Sequence, residues 1–256
     1  MEVEKNVPFV DANSIVKKIW GSADTVLFIF AGAAAEFALN KAVDWLYYTG
    51  KLPADPIGRL FSTVSYSHMI IFSGVDKANA SIDKITSIHA AVEASRHASI
   101  PDWAYRDVLY MLIHYSIASH ELLERKLTLQ EKEEVFNVFY RVGSRMRLKE
   151  LPQNYTQWKK SYAEHLKNDL ERSRFTDDLF KQYEKHLGSF RYAILIEAQK
   201  SIVPARVKEL MQFSKISFMP FIVPPYKLFK LIKLDKLIKT ILLPAKYKAQ
   251  IKALDV

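Results

Sequence analysis

The chain has 256 residues, enough for one large domain that buries about 70–75% of its unfolded surface. Its 49% apolar and 25% charged residues exclude a chain that is disordered throughout. Seven glycines are few for this length, which disfavours an all-β fold and a glycine-rich nucleotide-binding loop. Because there is no cysteine, disulfides, thiolate nucleophiles and iron–sulfur clusters are excluded, and a metal needs histidine, carboxylate or a cofactor's own atoms as ligands.

The net charge of +9 is concentrated at the C-terminal end of the sequence. Residues 226–256 contain eight lysines and two aspartates, a net charge of +6, whereas the preceding 225 residues carry only +3. Apolar residues between 231 and 242 recur at helical spacing with lysines opposite them, which predicts a basic amphipathic helix. Such a helix can contact an anionic membrane surface, or dock its apolar face on the domain. The nearly balanced main body argues against a nucleic-acid partner.

Capping and helix-breaking residues divide the chain into helices and leave no convincing alternating strand. Predicted helices begin near Asp11, run over Ser22–Tyr48, Asp55–Gly74, Asp76–Arg96 and Pro101–Arg125, start again at the capping box Thr128–Glu131, and cover 156–172, 177–187 and 190–213, the last interrupted at Pro204. The predicted fold is therefore all-α, with one multi-helix domain over residues 1–215 and a basic amphipathic segment over 216–256.

The sequence predicts neither export through a signal peptide nor a membrane span. The N-terminus lacks the basic start and apolar run of a signal peptide. The longest apolar run, 26–35, has ten residues, whereas about 20 are needed to cross a bilayer. We expect a cytoplasmic protein, with attachment to the membrane periphery through its C-terminal segment as the one membrane contact.

His89 is the first candidate metal ligand, since it lies mid-helix among Ile88, Ala90, Ala91 and Val92. Small neighbours leave room for a flat macrocycle to approach the imidazole, and an apolar surround suits a porphyrin. A hydrogen-bonded core histidine is the alternative interpretation.

Arg59, Thr63 and Tyr66 share one face of the predicted third helix. A guanidinium there could hold a carboxylate in a bidentate pair, and the hydroxyls could bond a carboxylate, water or bound oxygen. A surface ion pair for Arg59 and plain packing for Thr63 are the alternatives. The spacings of His89 with Glu93 and of His120 with Glu124 could also chelate a metal, but the two Glu-x-x-His motifs of a di-iron bundle are absent.

The stretch from Asp55 onward resembles the family that joins the mycophenolic-acid-pathway oxygenase to the latex-clearing rubber oxygenases. The resemblance rests on DPIGRLFSTVSY, on the later Ile-His-Ala-x-Val, on the apolar helix with His114 and on LTLQEKEEVF, and it covers roughly Trp20 to Met211. It implies a helical fold with a globin-like pocket for haem b, and His89 as the iron ligand. Arg59, Thr63, Tyr66 and His114 are then the residues expected around the cofactor.

The same resemblance implies cleavage of isoprenoid carbon–carbon double bonds with dioxygen, which yields carbonyl products. Arg59, Thr63 and Glu36 are the expected catalytic residues, with Glu36 as a distal base. Many relatives carry His-Pro where this chain has Asn40-Lys41, and rubber oxygenases carry Lys where Ser62 stands, so a small apolar lipid is expected rather than an extracellular polymer. The alternatives are a haem-binding sensor, carrier or peroxidase-like protein without oxygenase activity, and a non-enzymatic helical protein attached to a membrane.

Overall fold

The computed structural model describes residues 7–50, 54–231 and 247. Over these ranges the chain forms helices and no strand. The helices are α1 Ile15–Trp20, α2 Ala23–Leu39, α3 Asp44–Tyr48, α4 Pro56–Ile71, α5 Val75–Arg96, α6 Asp102–Leu123, α7 Leu129–Arg145, α8 Tyr155–Asn168, α9 Arg174–Leu187, α10 Ser189–Ile202, α11 Ala205–Leu210 and α12 Met219–Leu231. The predicted all-α, single-domain class is confirmed. Among the helices of these ranges, none combines the length and apolarity that crossing a membrane requires.

Two helix starts form as their capping residues predict. The side chain of Asp55 accepts a hydrogen bond from the backbone N–H of Gly58 (3.0 Å), and Pro56 begins α4. At α7, the N–H of Glu131 donates to the Thr128 hydroxyl (3.2 Å), and the N–H of Thr128 donates to the Glu131 carboxylate (2.9 Å). These bonds satisfy backbone donors that a helix start leaves unpaired. The start of α4 in turn fixes the register of the helix that carries Arg59.

The helix predicted over Ser22–Tyr48 is two helices, because the chain turns at Asn40. This residue adopts extended backbone angles (φ −66°, ψ 131°) directly after Leu39. Its side-chain amide donates to the carboxylate of Asp107 on α6 (3.0 Å), and a β-bridge pairs it with Leu170. An asparagine that bonds outside its own helix competes with helical backbone bonding. Asn40 therefore joins the end of α2 to α6 and to the segment after α8.

Small residues of α2 allow α6 to approach closely. A Cβ atom added at Gly32 would lie 2.2 Å from Cε1 of Tyr115 and 2.9 Å from Cδ1 of Ile202. Ala35 and Ala38 are fully buried beside this contact. The Tyr115 ring thus occupies the space that the small residues of α2 leave open, and the α2–α6 interface is the centre of the core.

The C-terminal helix packs on the domain at its start. Met219 and Val223 of α12 are buried in one cluster with Ala31 of α2 and Ala198 of α10. The Tyr226 hydroxyl donates to the carboxylate of Asp24 (2.9 Å). Pro224 and Pro225 lie inside α12 rather than ending it. Most of the predicted amphipathic helix falls outside the described residues, so the boundary at residue 215 stays a prediction.

Tyr247 is the part of the C-terminal segment that the structure places near α4. Its ring is buried and stacks on Phe61, with ring centroids 5.5 Å apart. Its hydroxyl donates to the Asp55 carboxylate at 2.5 Å. Tyr247 therefore lies against the N-terminal end of the helix that carries Arg59 and Thr63.

Candidate functional site

The antiparallel hairpin of α4 and α5 places Arg59 level with His89. Three residues connect the helices, which pack against each other. Arg59 lies twelve residues before the end of α4, and His89 lies fourteen residues after the start of α5. At a rise of 1.5 Å per residue, the two positions are about 18 and 21 Å from the connection. The hairpin thus brings together two residues that are 30 positions apart in sequence.

His89 presents a neutral, half-buried imidazole. Its Nδ1 atom is inaccessible to solvent and has no hydrogen-bond partner among the described residues. The edge of the ring contacts Tyr105, with centroids 5.1 Å apart at 67°. Burial lowers the pKa of His89, and the positive charge of Arg59 lowers it further against the opposing charge of Glu93. A histidine with a lowered pKa is uncharged at neutral pH, which is the form that binds a metal.

Glu93 positions Tyr105 instead of chelating a metal with His89. Its Oε1 atom accepts a hydrogen bond from the Tyr105 hydroxyl (3.2 Å) and another from the backbone N–H of Ile100 (2.7 Å). The i, i+4 spacing of His89 and Glu93 is therefore used to hold the aromatic ring that packs on the imidazole.

Arg59 is a half-buried cation without an ion pair in the described ranges. Its Nη1 atom donates to the Ser62 hydroxyl (3.2 Å), and burial lowers its pKa while Tyr66 opposes the change. The Thr63 hydroxyl donates to the Arg59 carbonyl at 3.3 Å. Tyr66 is half-buried on the same side of α4. The guanidinium is therefore available for a carboxylate ligand, whereas the Thr63 hydroxyl already has a partner on its own helix.

The second half of α5 leaves apolar side chains uncovered. No residue from Asp83 to Arg96 is buried, although this stretch includes Ile88, Ala90 and Ala91. The side chain of Ile88 is 42% exposed. A helix in the middle of a chain usually buries its apolar residues against a neighbour. Around His89, the described residues do not bury these apolar side chains.

A second group of polar side chains surrounds Glu36 in the core. Glu36 is fully buried on α2, and its Oε2 atom accepts hydrogen bonds from the hydroxyls of Tyr115 and Tyr162, both at 2.7 Å. Nε2 of His165 lies 3.2 Å from the other oxygen, Oε1. Burial raises the pKa of both tyrosines, and the charge of Glu36 raises it further, so both phenols remain neutral donors. The carboxylate thus ties α2 to α6 and α8.

The opposite side of the His165 ring faces two more carboxylates. Its Nδ1 atom lies 2.9 Å from Oδ1 of Asp107 and 3.5 Å from Oδ2 of Asp169. Burial lowers the pKa of His165, but the adjacent carboxylates of Asp107 and Glu36 outweigh it and raise the pKa to about 10. Burial raises the pKa of Asp107, against the opposing effects of His165 and Asn40. In the absence of a ligand the proton of this cluster therefore resides on the imidazole.

His114 belongs to the Glu36 group rather than to His89. Its ring lies edge-on to Tyr115 (centroids 4.8 Å apart) and against Tyr162 (4.9 Å). Its Nε2 atom is inaccessible and unpartnered within the described part of the chain. Burial lowers its pKa, with the charge of Glu36 acting in the opposite direction. Tyr105, whose ring contacts His89, is nine residues before His114 on α6. His114 therefore lies about 13 Å further along the helix axis than the residue that contacts His89.

Two cavities lie away from both groups. One of about 610 Å³ is lined by residues of α9 and α10 and of the segment that follows α11, including Phe180, Tyr192 and Lys200. The other, of about 580 Å³, lies where α1 and α2 meet the end of α6, beside Lys18 and Thr25. Neither is lined by Arg59, His89, Glu36 or His114, but the second is lined by His120 and Glu124, the pair whose spacing could chelate a metal.

Comparison with known families identifies this arrangement. Residues 20–222 match the family described as ER-bound oxygenase mpaB/B'/Rubber oxygenase, catalytic domain. The chain belongs to this family. Neither a curated protein nor a solved structure matches it. The family that the sequence resembles is thus confirmed. Membership in the mpaB/rubber oxygenase family makes the chain an oxygenase-type oxidoreductase domain. This class implies a small-molecule substrate and dioxygen as ligands.

The α4–α5 hairpin of this mpaB/rubber oxygenase family member fits a haem. His89 offers a neutral imidazole whose Nδ1 atom has no partner within the described ranges, and the neutral form is the one that ligates iron. Arg59 offers a guanidinium without a carboxylate partner there, which suits a propionate. The uncovered apolar residues of α5 suit the porphyrin face. Chemistry and placement agree for these three features.

The structure separates the predicted site residues of this family member into two places. Arg59, Thr63, Tyr66 and His89 lie together on the hairpin, whereas Glu36 and His114 lie in the core. Sequence reasoning missed the polar residues around Glu36, namely Asn40, Asp107, Tyr115, Tyr162, His165 and Asp169. One signal was present, because His165 and Asp169 have the same i, i+4 spacing as the two histidine–glutamate pairs.

Proposed function

We propose that this oxygenase domain depends on haem b and uses dioxygen to cleave an apolar, isoprenoid-type alkene. The observation that carries the proposal is the His89 imidazole, which is neutral, has an unpartnered buried nitrogen among the described residues, and lies level with the unpaired guanidinium of Arg59. Family membership supports the oxygenase part of the proposal, and the fit of the hairpin supports the haem part.

The residues of the hairpin would bind and orient the cofactor. His89 would hold the iron, and Tyr105, fixed by Glu93, would hold the imidazole ring in place. Arg59 would bind a propionate carboxylate as a charge-assisted pair. Haem, when bound, supplies the redox-active iron that activates dioxygen. Thr63 and Tyr66, on the Arg59 side of α4, complete the proposed haem environment.

The buried residues around Glu36 would provide the base that accepts a proton during the reaction. Glu36 is the proposed base, and it accepts hydrogen bonds from Tyr115 and Tyr162 that hold its Oε2 atom in one place. His114, in ring contact with both tyrosines, is the proposed neighbour of this base. A carboxylate held by three donors is a positioned acceptor rather than a mobile one.

Cleavage of the alkene needs no external reductant. One C=C bond and one O–O bond break, and two C=O bonds form, so both oxygen atoms of O₂ appear in the carbonyl products. The test is oxygen uptake by haem-loaded protein with squalene as a polyisoprenoid alkene. We expect one O₂ consumed per pair of carbonyls, with ¹⁸O₂ labelling both. Haem-loaded protein that consumes no oxygen with this or with shorter isoprenoid alkenes is instead the haem-binding protein without oxygenase activity.

We further propose that the C-terminal segment contacts an anionic membrane surface. The observation behind it is a group of exposed apolar side chains at the start of that segment, Phe218 (60% exposed), Phe221 (78%) and Ile222 (51%). Exposed aromatic residues next to a lysine-rich segment are typical of interfacial binding. Phe221→Glu should weaken sedimentation with phosphatidylserine vesicles, whereas Phe190→Glu, at an equally exposed phenylalanine elsewhere, should not. Equal loss in both variants would contradict the proposal.

A further inference from the structure

Three ligand-type atoms converge beside Glu36, at a place that the haem proposal does not use. Asp107, His165 and Asp169 each offer one ligand atom, and these three atoms all lie within 4.8 Å of one another. Asp107 comes from α6, His165 from α8, and Asp169 directly follows α8. Asp107 and His165 are buried, whereas the side chain of Asp169 is 26% exposed and opens the group to solvent.

The distances among these atoms are those of a coordination sphere. Zinc binds imidazole nitrogen and carboxylate oxygen at roughly 2.0–2.2 Å, so two ligands at octahedral or tetrahedral angles lie about 2.8–3.6 Å apart. Nδ1 of His165 is 2.9 Å from the Asp107 oxygen and 3.5 Å from the Asp169 oxygen. Both separations match two ligands of one ion.

The orientation of the His165 imidazole also favours a bound metal ion. Although Nδ1 of His165 is only 2.9 Å from Asp107, the contact does not meet hydrogen-bond geometry, and the atom is buried without a hydrogen-bond partner among the described residues. The other nitrogen, Nε2, lies 3.2 Å from the Glu36 carboxylate. A carboxylate that fixes the far nitrogen of a histidine is the usual outer-shell partner of a metal-bound imidazole. Asn40 likewise holds the second oxygen of Asp107 at 3.0 Å.

The carboxylates around His165 favour the binding of a cation. Glu36, Asp107 and Asp169 are three carboxylates around one imidazole, and no lysine or arginine in the described ranges forms an ion pair with any of them. His165 is thus the only basic side chain in the described ranges that is paired with any of these three acids. Buried charges in proteins are paired or coordinate a metal.

We propose that Asp107, His165 and Asp169 form a binding site for a divalent transition-metal cation, distinct from the haem site at His89. One imidazole with two carboxylates suits Zn²⁺, Mn²⁺ or Fe²⁺. Three protein ligands leave a coordination position for water on the exposed side of Asp169. Because the site ties α6 to α8 and borders Glu36, its occupant sets the charge beside the proposed base.

The test is zinc binding by the metal-free full-length protein. Isothermal titration calorimetry with Zn²⁺ should give one site per chain with a dissociation constant of about 1 µM or lower. Asp169→Asn keeps the side-chain shape and should weaken binding at least about tenfold, the lower end of the loss seen even for outer-shell partners. Glu171→Gln removes an exposed acid two residues away and should bind like wild type. Circular dichroism establishes that both variants fold.

A second measurement needs no variant. X-ray absorption at the zinc edge of the wild-type complex should show one imidazole among oxygen ligands at about 2.0–2.2 Å. Absence of saturable binding, equal affinity in Asp169→Asn and wild type, or a spectrum with two or more imidazoles would each overturn the site. None of these results depends on haem, since His89→Ala should bind zinc as wild type does. Loss of zinc binding in His89→Ala would instead locate the ion at His89.

Discussion

Replacing Gly32 with alanine is expected to destabilise the protein by displacing Tyr115. The new Cβ would lie 2.2 Å from Cε1 and 2.3 Å from Cδ1 of that ring, whereas ordinary contacts begin at 3.4 Å. Tyr115 is fully buried, so its rigid ring must move by more than about 1 Å in a packed core, and its hydroxyl must leave Glu36. Overpacking costs about 1–3 kcal/mol and an unsatisfied buried carboxylate about 1–3 kcal/mol more.

Against these costs stands the gain of about 1 kcal/mol in helix propensity when alanine replaces glycine. The net loss in the free energy of unfolding should therefore be about 1–5 kcal/mol, measured by urea denaturation with an unchanged slope. Gly143→Ala is the matched control, because this glycine, in the last turn of α7, also gains helix propensity, and its added Cβ meets the flexible ends of Leu109 and Leu151. We expect it to stay within about 1 kcal/mol of wild type. Gly32→Ala with stability equal to or above that of Gly143→Ala would refute the reasoning.

Three further predictions concern the capping box, the propionate ligand and the returning C-terminal segment. Thr128→Ala should lower the free energy of unfolding by about 1 kcal/mol. Arg125, with the N–H of Thr128, lowers the pKa of Glu131 from 4.5 to about 2. The stabilisation that the ionised Glu131 carboxylate contributes above pH 4.5 should therefore vanish as the pH falls toward 2. Glu131→Gln lacks this carboxylate, so its melting temperature should fall less between about pH 6 and pH 3. Arg59→Gln should weaken haemin binding about tenfold in spectrophotometric titration, with Arg59→Lys intermediate because a lysine cannot pair bidentately; equal affinities would contradict the propionate role. Tyr247→Ala should cost about 2–4 kcal/mol and speed hydrogen exchange at 56–63, and unchanged exchange would contradict its docking on α4.

The sequence predicts the helices well because their ends are encoded locally. Asp55 with Pro56, and Thr128 with Glu131, are capping signals whose bonds form within four residues. The turn at Asn40 could not be predicted in this way, because the residue is held by Asp107, 67 positions away. Local patterns do not contain such long-range bonds.

The candidate site, like the fold, could be predicted from the sequence only where its contacts are local. Arg59, Thr63 and Tyr66 share one helix face, so their proximity follows from helical periodicity, and the short connection after α4 brings His89 level with them. The cluster around Glu36 draws on α2, α6 and α8, and its partners meet only through tertiary packing. A buried glutamate in an apolar helix predicts that partners exist but not which residues they are.

Haemin titration of the wild-type protein and of His89→Ala tests the central claim most directly. Wild type should bind one haemin per chain and give a shifted Soret band typical of histidine-ligated iron. His89→Ala should lose that band or bind much more weakly, whereas His186→Ala, at a histidine of α9 far along the chain, should titrate like wild type. A Soret shift of the same size and affinity in His89→Ala, or no specific binding by wild type, would contradict the account.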